Sequence, residues 1–301
     1  MSRRGALMLL ALGLIWGLPY LLIKESVASF APAGVVSGRT LGGALLLLPL
    51  AARAGALRPA LRAWKWVLAF GLVEMAGPFM LLSHAEQTLP SGLTGLLVST
   101  VPLVAAVIAF ATGERGALHV SRVIGLLVGI AGVGLVVGTG GDGTVTAVAV
   151  AEVLATAVLY AIAPFIVARR LRGVPPLGSI SLALAAVGLG YLPIALLTQD
   201  GSPTGRSIGA LVTLAVLCTA LAFVVFFNLI AEVGPVRATL ITYINPVVAI
   251  AVGALVLDEH VSGGMLAGIP LILVGCWLAA GARVDAPVAA PVPDATLAEC
   301  T

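Results

Sequence analysis

Apolar residues run in stretches of about 20, parted by short breaks that carry Gly, Pro or charge, and this pattern fills nearly the whole chain. About 20 residues at ~1.5 Å rise each cross a hydrocarbon core of ~30 Å, so each stretch predicts a membrane-spanning helix. Ten spans are expected, near 6–23, 33–52, 66–83, 91–111, 118–138, 147–168, 177–197, 207–230, 236–257 and 264–282. The breaks are short, so neighbouring spans should pack as antiparallel hairpins with little mass outside the bilayer. Residues 284–301 are rich in Ala and Pro and lack periodicity, which predicts a disordered cytoplasmic tail.

The second half of the pattern echoes the first. A shift of 144 positions lays Leu96–Ala105 over Leu240–Ala249, so that Pro102 falls on Pro246; it also lays Trp16 on Tyr160 and Glu114 on Asp258, next to Glu259. Gly125 and Gly132 match Gly268 and Gly275 with one residue of slippage. A proline, an acidic turn and a glycine pair recurring in order point to duplication, with repeats at 6–138 and 147–282. An odd number of spans per repeat forces the two into opposite orientations. The expected fold class is therefore an all-α membrane protein, ten transmembrane helices as two five-helix inverted repeats, and such a pair can open a shared site to either side in turn.

Composition closes off the water-soluble classes. With 60% hydrophobic and 10% charged residues and a mean hydropathy of +1.15, the chain has too little polar surface to cover itself in water. If the N-terminus is inside, the 16 Lys and Arg all reach the inner face apart from Lys24 and Arg206 outside and Arg39 within a span. That asymmetry predicts a multi-pass plasma-membrane protein with both termini cytoplasmic. Ser2-Arg3-Arg4 reads as the anchor of an uncleaved first helix, since no small-residue cleavage site follows. No dense basic stripe with interleaved aromatics exists to bind nucleic acid. Cys218 and Cys276 lie in mid-span and Cys300 in the tail, so no disulfide is expected.

Candidate chemistry gathers near the midplane. Pro102 and Pro246 should bend helices four and nine, and the backbone they free needs protein or a wet cavity to satisfy it. Trp16, Tyr160, Tyr243 and Asn245 sit at comparable depth, as pocket walls or as filler between helices. Glu74 lies close to the centre of helix three, where an unpaired carboxylate costs several kcal/mol. A Glu74–Arg39 ion pair would neutralise both; the glutamate is then either a proton- or substrate-sensing group or half of a static fastener. Ser99 and Thr100 are expected to bond back to carbonyls near Pro102. His84 and Glu86, at the outer end of helix three, read as solvated. Gly125-xxx-Gly129, Gly134-xxx-Gly138 and Gly264-xxx-Gly268 allow close backbone approach, within the monomer by default and across a homodimer face as the alternative.

Trp16-Gly17, Arg39, Glu74-Met75-Ala76-Gly77-Pro78-Phe79, Ala85-Glu86-Gln87-Thr88-Leu89-Pro90-Ser91, Pro102 and Gly113-Glu114-Arg115 together resemble the first half of an EamA-type transporter. Asn228 to Pro235, Tyr243-Ile244-Asn245-Pro246 and Leu257-Asp258-Glu259 resemble the second half. The resemblance, to the drug/metabolite transporter superfamily, spans residues 6–282. It implies a basket of ten helices around a central cavity and efflux of amino acids, related metabolites or drugs. Asp258 departs from it, standing where a glycine normally precedes the glutamate, as does Thr40, where an aromatic often follows the arginine.

An enzyme is not expected: there is no Asp-rich metal motif, no His-Glu-x-x-His and no Gly-x-Ser-x-Gly, and the histidines His84, His119 and His260 all lie near loops. No metal or cofactor is expected. A passive channel is the rival reading, though neither a ring of charges nor a filter-like carbonyl loop is visible. The expected partners are a small-molecule substrate and the lipid bilayer.

Overall fold

Helix starts recur along the chain at the interval of the sequence repeat. Ser2 caps the first helix by accepting from the Gly5 N–H, and Thr146 caps the sixth by accepting from Ala149. Pro32 and Pro176 each occupy a first helical turn, where proline's missing N–H costs nothing. The computed structural model describes residues 2–111, 120–139, 145–233, 238 and 241–280, and all regular structure among the described residues is helical.

Seven helices are long and apolar enough to cross a membrane: α1 (Arg3–Val27), α2 (Pro32–Arg53), α3 (Trp64–Ala85), α4 (Ser91–Ile108), α6 (Ala147–Arg170), α7 (Pro176–Thr198) and α8 (Gly205–Val233). Three more apolar helices are shorter, α5 (Val123–Gly138), α9 (Ile241–Val256) and α10 (Gly263–Ala279). The sequence pattern predicts ten full spans, so these three fall short of that expectation among the described residues. Glu114 of the repeat lies outside the described residues, as does the tail.

The long helices are not regular throughout. α1 breaks at Leu18, ahead of Pro19, and α4 breaks at Ser99 and Thr100, ahead of Pro102. α3 and α8 each widen into a π turn, over Leu72–Ala76 and Val216–Leu221. These wider turns leave carbonyls for other partners: Ala76 O accepts from Tyr191 Oη (3.1 Å), and Leu214 O from Thr219 Oγ1 (2.9 Å).

Packing decides which faces are buried. α5 lies along α10 with almost no side chain between them, because a Cβ at Gly125 would meet Ala279 N and Gly275 O at 2.6 Å. α2 lies along α7, where the Ser37 hydroxyl donates to Gly188 O at 3.0 Å. α1 crosses α9 at Gly13 and Gly17, against Ile244 and Val248, and also contacts α8. α6 in turn contacts α4 and α3, and α4 contacts α9. The outer surface is apolar, with Leu197 86% and Leu255 82% exposed, as a lipid-facing surface requires. Gly134 and Gly138 meet nothing within 4 Å, unlike Gly125 and Gly129 on the same helix.

Candidate functional site

Kinks and small residues leave a cavity of about 260 Å³ where α1, α2, α3, α4, α6, α8 and α9 converge. Trp16 and Tyr20, one helical turn apart on α1, form one aromatic wall. Trp16 stacks at a tilt on Phe226 (centroids 4.9 Å apart) and meets Phe223 edge-on at 6.1 Å. Tyr160 comes in from α6, Pro102 with Ser99 from the break in α4, and Asn245 from α9. Two ionisable side chains of opposite sign, Arg39 and Glu74, also line the space, and Tyr160 is within electrostatic reach of both.

The π turns set the polar part of this wall. In α8 the turn brings Thr219 inward, fully buried, where its hydroxyl accepts from Arg39 Nε at 3.0 Å. Phe79 covers the other side of Arg39, its ring centroid 3.8 Å from Cζ. A guanidinium held between a hydroxyl and a ring face is both oriented and partly desolvated. In α3 the corresponding turn contains Glu74, half-buried and facing the cavity.

This geometry corrects the expected Glu74–Arg39 ion pair. Among the described residues the close contacts between basic and acidic side chains are His84–Glu152 (2.8 Å) and Arg206–Glu25, both toward the ends of the helices. Arg39 instead takes Thr219 and Phe79, while Glu74 faces the same cavity from the π turn of α3. Tyr243 and Pro246 are a second correction: neither lines the cavity. Tyr243 is half-buried against the large apolar cluster around α4, α5 and α10, and Pro246 is buried in the helix packing. Asn245 lines the cavity while also tying helices together; with its amide oriented to satisfy both bonds, its nitrogen donates to Gly13 O (3.1 Å) and Ile241 O (3.0 Å).

Ser99 and Thr100 bond back to Leu96 O (2.6 Å) and Leu97 O (2.7 Å), stabilising the carbonyls beside Pro102. Glu86 reverses its expected place: it is fully buried rather than solvated, because the chain after α3 folds under α1 and α4 instead of projecting outward. Neither of its carboxylate oxygens has a hydrogen-bond partner. His84 is exposed and bonds Glu152 across to α6.

At the same end of the molecule Glu259 binds the start of α4. Its carboxylate accepts from Ser91 N (2.7 Å), Ser91 Oγ (2.9 Å) and Gly92 N (3.1 Å). Asp258 takes φ 52°, the left-handed conformation that glycine adopts most easily, which explains why the resemblance expects glycine there. Sequence reasoning missed Tyr20, Phe223 and Thr219, and named Phe79 only within the motif that carries the resemblance. Tyr20 alone carried a usable signal, its spacing of four from Trp16.

Helices that bury a mixed aromatic and charged cavity inside a lipid-facing surface define a polytopic membrane protein of the transporter class. The sequence matches the profile of the EamA-like transporter family over residues 3–138 and 148–281, and the chain belongs to that family. It is similar to the uncharacterized transporter YvbV of Bacillus subtilis, 28% identical over 282 residues and covering 92% of each chain. The uncharacterized inner membrane transporter YedA of Escherichia coli K12 is 26% identical over 293 residues, covering 93% of this chain and 94% of its own. A protein of Escherichia coli K12 named "Probable amino-acid metabolite efflux pump" is 25% identical over 292 residues, covering 92% and 95%. One crystal structure shares the fold at a TM-score of 0.67 with 21% identity, covering 94% of this chain and 99% of that one. The protein is a membrane transporter.

Proposed function

We propose that the protein is a secondary active transporter that exports small metabolites across the plasma membrane by alternating access. In this reading residues 6–138 and 147–282 are two inverted five-helix repeats, both termini are cytoplasmic, and the cavity is the substrate site. Helix starts at Arg3 and Ala147 and at Pro32 and Pro176 support the repeat, as do the π turns at Leu72 and Val216, every pair lying 144 positions apart. So does the pattern of neighbours, in which exchanging halves turns α1–α9 into α6–α4, α1–α8 into α6–α3, and α2–α8 into α7–α3.

The carrying observation is a cavity between the halves that holds the repeat-equivalent aromatics Trp16 and Tyr160 together with Arg39 and Glu74. About 260 Å³ lies below the ~300–1,000 Å³ usual for drug-sized ligands, which favours amino acids and similar metabolites over larger drug-like compounds. Aromatic walls suit an apolar side chain, and the fixed Arg39 cation suits a substrate carboxylate. The efflux-pump name of one relative agrees with this direction and substrate class. Glu74 is the group that couples transport to protons, because rocking of the halves changes its hydration.

The test is transport in proteoliposomes, with radiolabelled amino acids and lipophilic cations supplied with and without a pH gradient. Saturable uptake with counterflow is expected for the wild type. Glu74→Gln should abolish accumulation driven by the gradient and preserve exchange at equal pH. Flux that neither saturates nor shows counterflow would make the protein a channel and overturn the proposal.

A further inference from the structure

The cavity is sealed at the end where α3 finishes. Ile23 of α1 and Leu82 of α3 line it there, only 1% and 3% exposed, and Gly95 closes it from α4. One step further out, each of these helices carries a polar group: Lys24 follows Ile23, Glu86 lies one turn beyond Leu82, and Ser91 one turn before Gly95. These groups are built into a joint. Lys24 Nζ donates to Leu89 O (2.7 Å), tying α1 to the α3–α4 turn, and Glu259 fastens the start of α4 to the turn before α10.

Glu86 sits inside this joint, fully buried, with both oxygens unpartnered. Thr94, which faces it from α4, donates its own hydroxyl to Pro90 O (3.1 Å). The charged and titratable groups around it are Lys24 and Tyr20 from α1 and Glu259 from the α9–α10 turn; on α3 itself His84 is engaged outward with Glu152 of α6. A carboxylate in such a place is costly, whereas a neutral carboxyl is not.

We infer that Glu86 is a proton-binding site in a plug at the outer mouth of the cavity, separate from Glu74, occupied while the plug is closed and emptied when it opens. The inference rests on the reading of this end as the outer one and of the cavity as a site that opens alternately. Burial raises the proton affinity of Glu86 well above the ordinary carboxylate range; Lys24 opposes this, the Glu259 charge adds to it, and the Thr94 hydroxyl lowers it. Opening would wet the carboxyl and return it to ordinary acidity beside Lys24. The closed plug therefore binds the proton more tightly than the open one, so acid favours closure and alkali favours opening.

The experiment reads cavity access from outside. Val98, half-buried on the α4 wall, is replaced by cysteine in a background carrying Cys218→Ala, Cys276→Ala and Cys300→Ala, and intact cells receive a membrane-impermeant maleimide at a series of external pH values, with rates corrected for the pH dependence of the thiol measured on a fully exposed cysteine. The corrected labelling rate should rise with pH by up to about tenfold per unit, as a one-proton equilibrium allows. Glu86→Gln, a neutral isostere, should label at the slow acid rate at every pH, and Lys24→Met should move the rise to higher pH. Retention of the wild-type profile in Glu86→Gln, or absence of labelling at any pH, would overturn the inference.

Should Glu86→Gln fail to fold, an infrared titration of the purified full chain carrying Glu74→Gln decides instead. A protonated-carboxyl C=O band persisting above the ordinary carboxylate range, with its midpoint raised further by Lys24→Met, is expected; a chain without that band would overturn the inference. Neither readout depends on transport. A protein that passes both and shows no counterflow would count against the transporter reading alone.

Discussion

If Arg39 is held by Thr219 and Phe79 and not by Glu74, its couplings to the three residues should differ in a measurable order. The Arg39 Nε–Thr219 Oγ1 bond, 3.0 Å long and buried, has a charged donor, a type that contributes roughly 1.5–3 kcal/mol. The Phe79 face at 3.8 Å adds a cation–π contact of about 2 kcal/mol when desolvated, as here, where Arg39 is 7% exposed. Double-mutant cycles of Arg39→Gln with Thr219→Val and with Phe79→Leu isolate these terms, since the Thr219–Leu214 bond lost in both Thr219 variants cancels.

The same cycle with Glu74→Gln should give less than about 0.5 kcal/mol, the level expected where two side chains make no direct contact. Unfolding free energies of the purified protein in mixed micelles supply all three numbers. A Glu74–Arg39 coupling above about 1 kcal/mol, or rescue of a destabilised Glu74→Gln by Arg39→Gln, would refute the assignment of partners and restore the ion pair.

Two further outcomes follow from the packing and the topology. Gly125→Ala should destabilise the protein by about 1–3 kcal/mol, because the new methyl meets backbone atoms that cannot yield, whereas Gly134→Ala, on the same helix with open space, should stabilise it by about 0.5–1 kcal/mol; equal melting shifts would contradict the α5–α10 contact. A single cysteine at Asp200 should react with an impermeant probe on intact cells, and one at Arg170 only after permeabilisation, both positions being exposed at opposite ends of α7 and its neighbour α6; the reverse pattern would invert the topology.

Much of the helical plan is legible in the sequence because its cause is local. A stretch of about 20 apolar residues must satisfy its own backbone in hydrocarbon, and only a helix does so along a single chain segment. The caps at Ser2 and Thr146 and the prolines at 32 and 176 are local as well. Mid-span charge and proline also marked Arg39, Glu74 and Pro102 as unusual, and all three line the cavity.

What each of those residues touches had to come from the tertiary structure. Arg39 meets a threonine 180 positions away, brought inward by a π turn that no periodicity announces, and Glu259 caps a helix belonging to the other half of the chain. Tyr243 and Asn245 stand two residues apart, yet only Asn245 faces the cavity; Glu86, at a helix end that reads as wet, is sealed beneath α1 and α4. In a soluble helix the polar stripe fixes which side faces inward. Here lipid and protein interior are equally apolar, so the hydropathy pattern sets how far a helix extends but not its rotation about its own axis, and that rotation follows from glycine contacts, π turns and hydrogen bonds between helices distant in sequence.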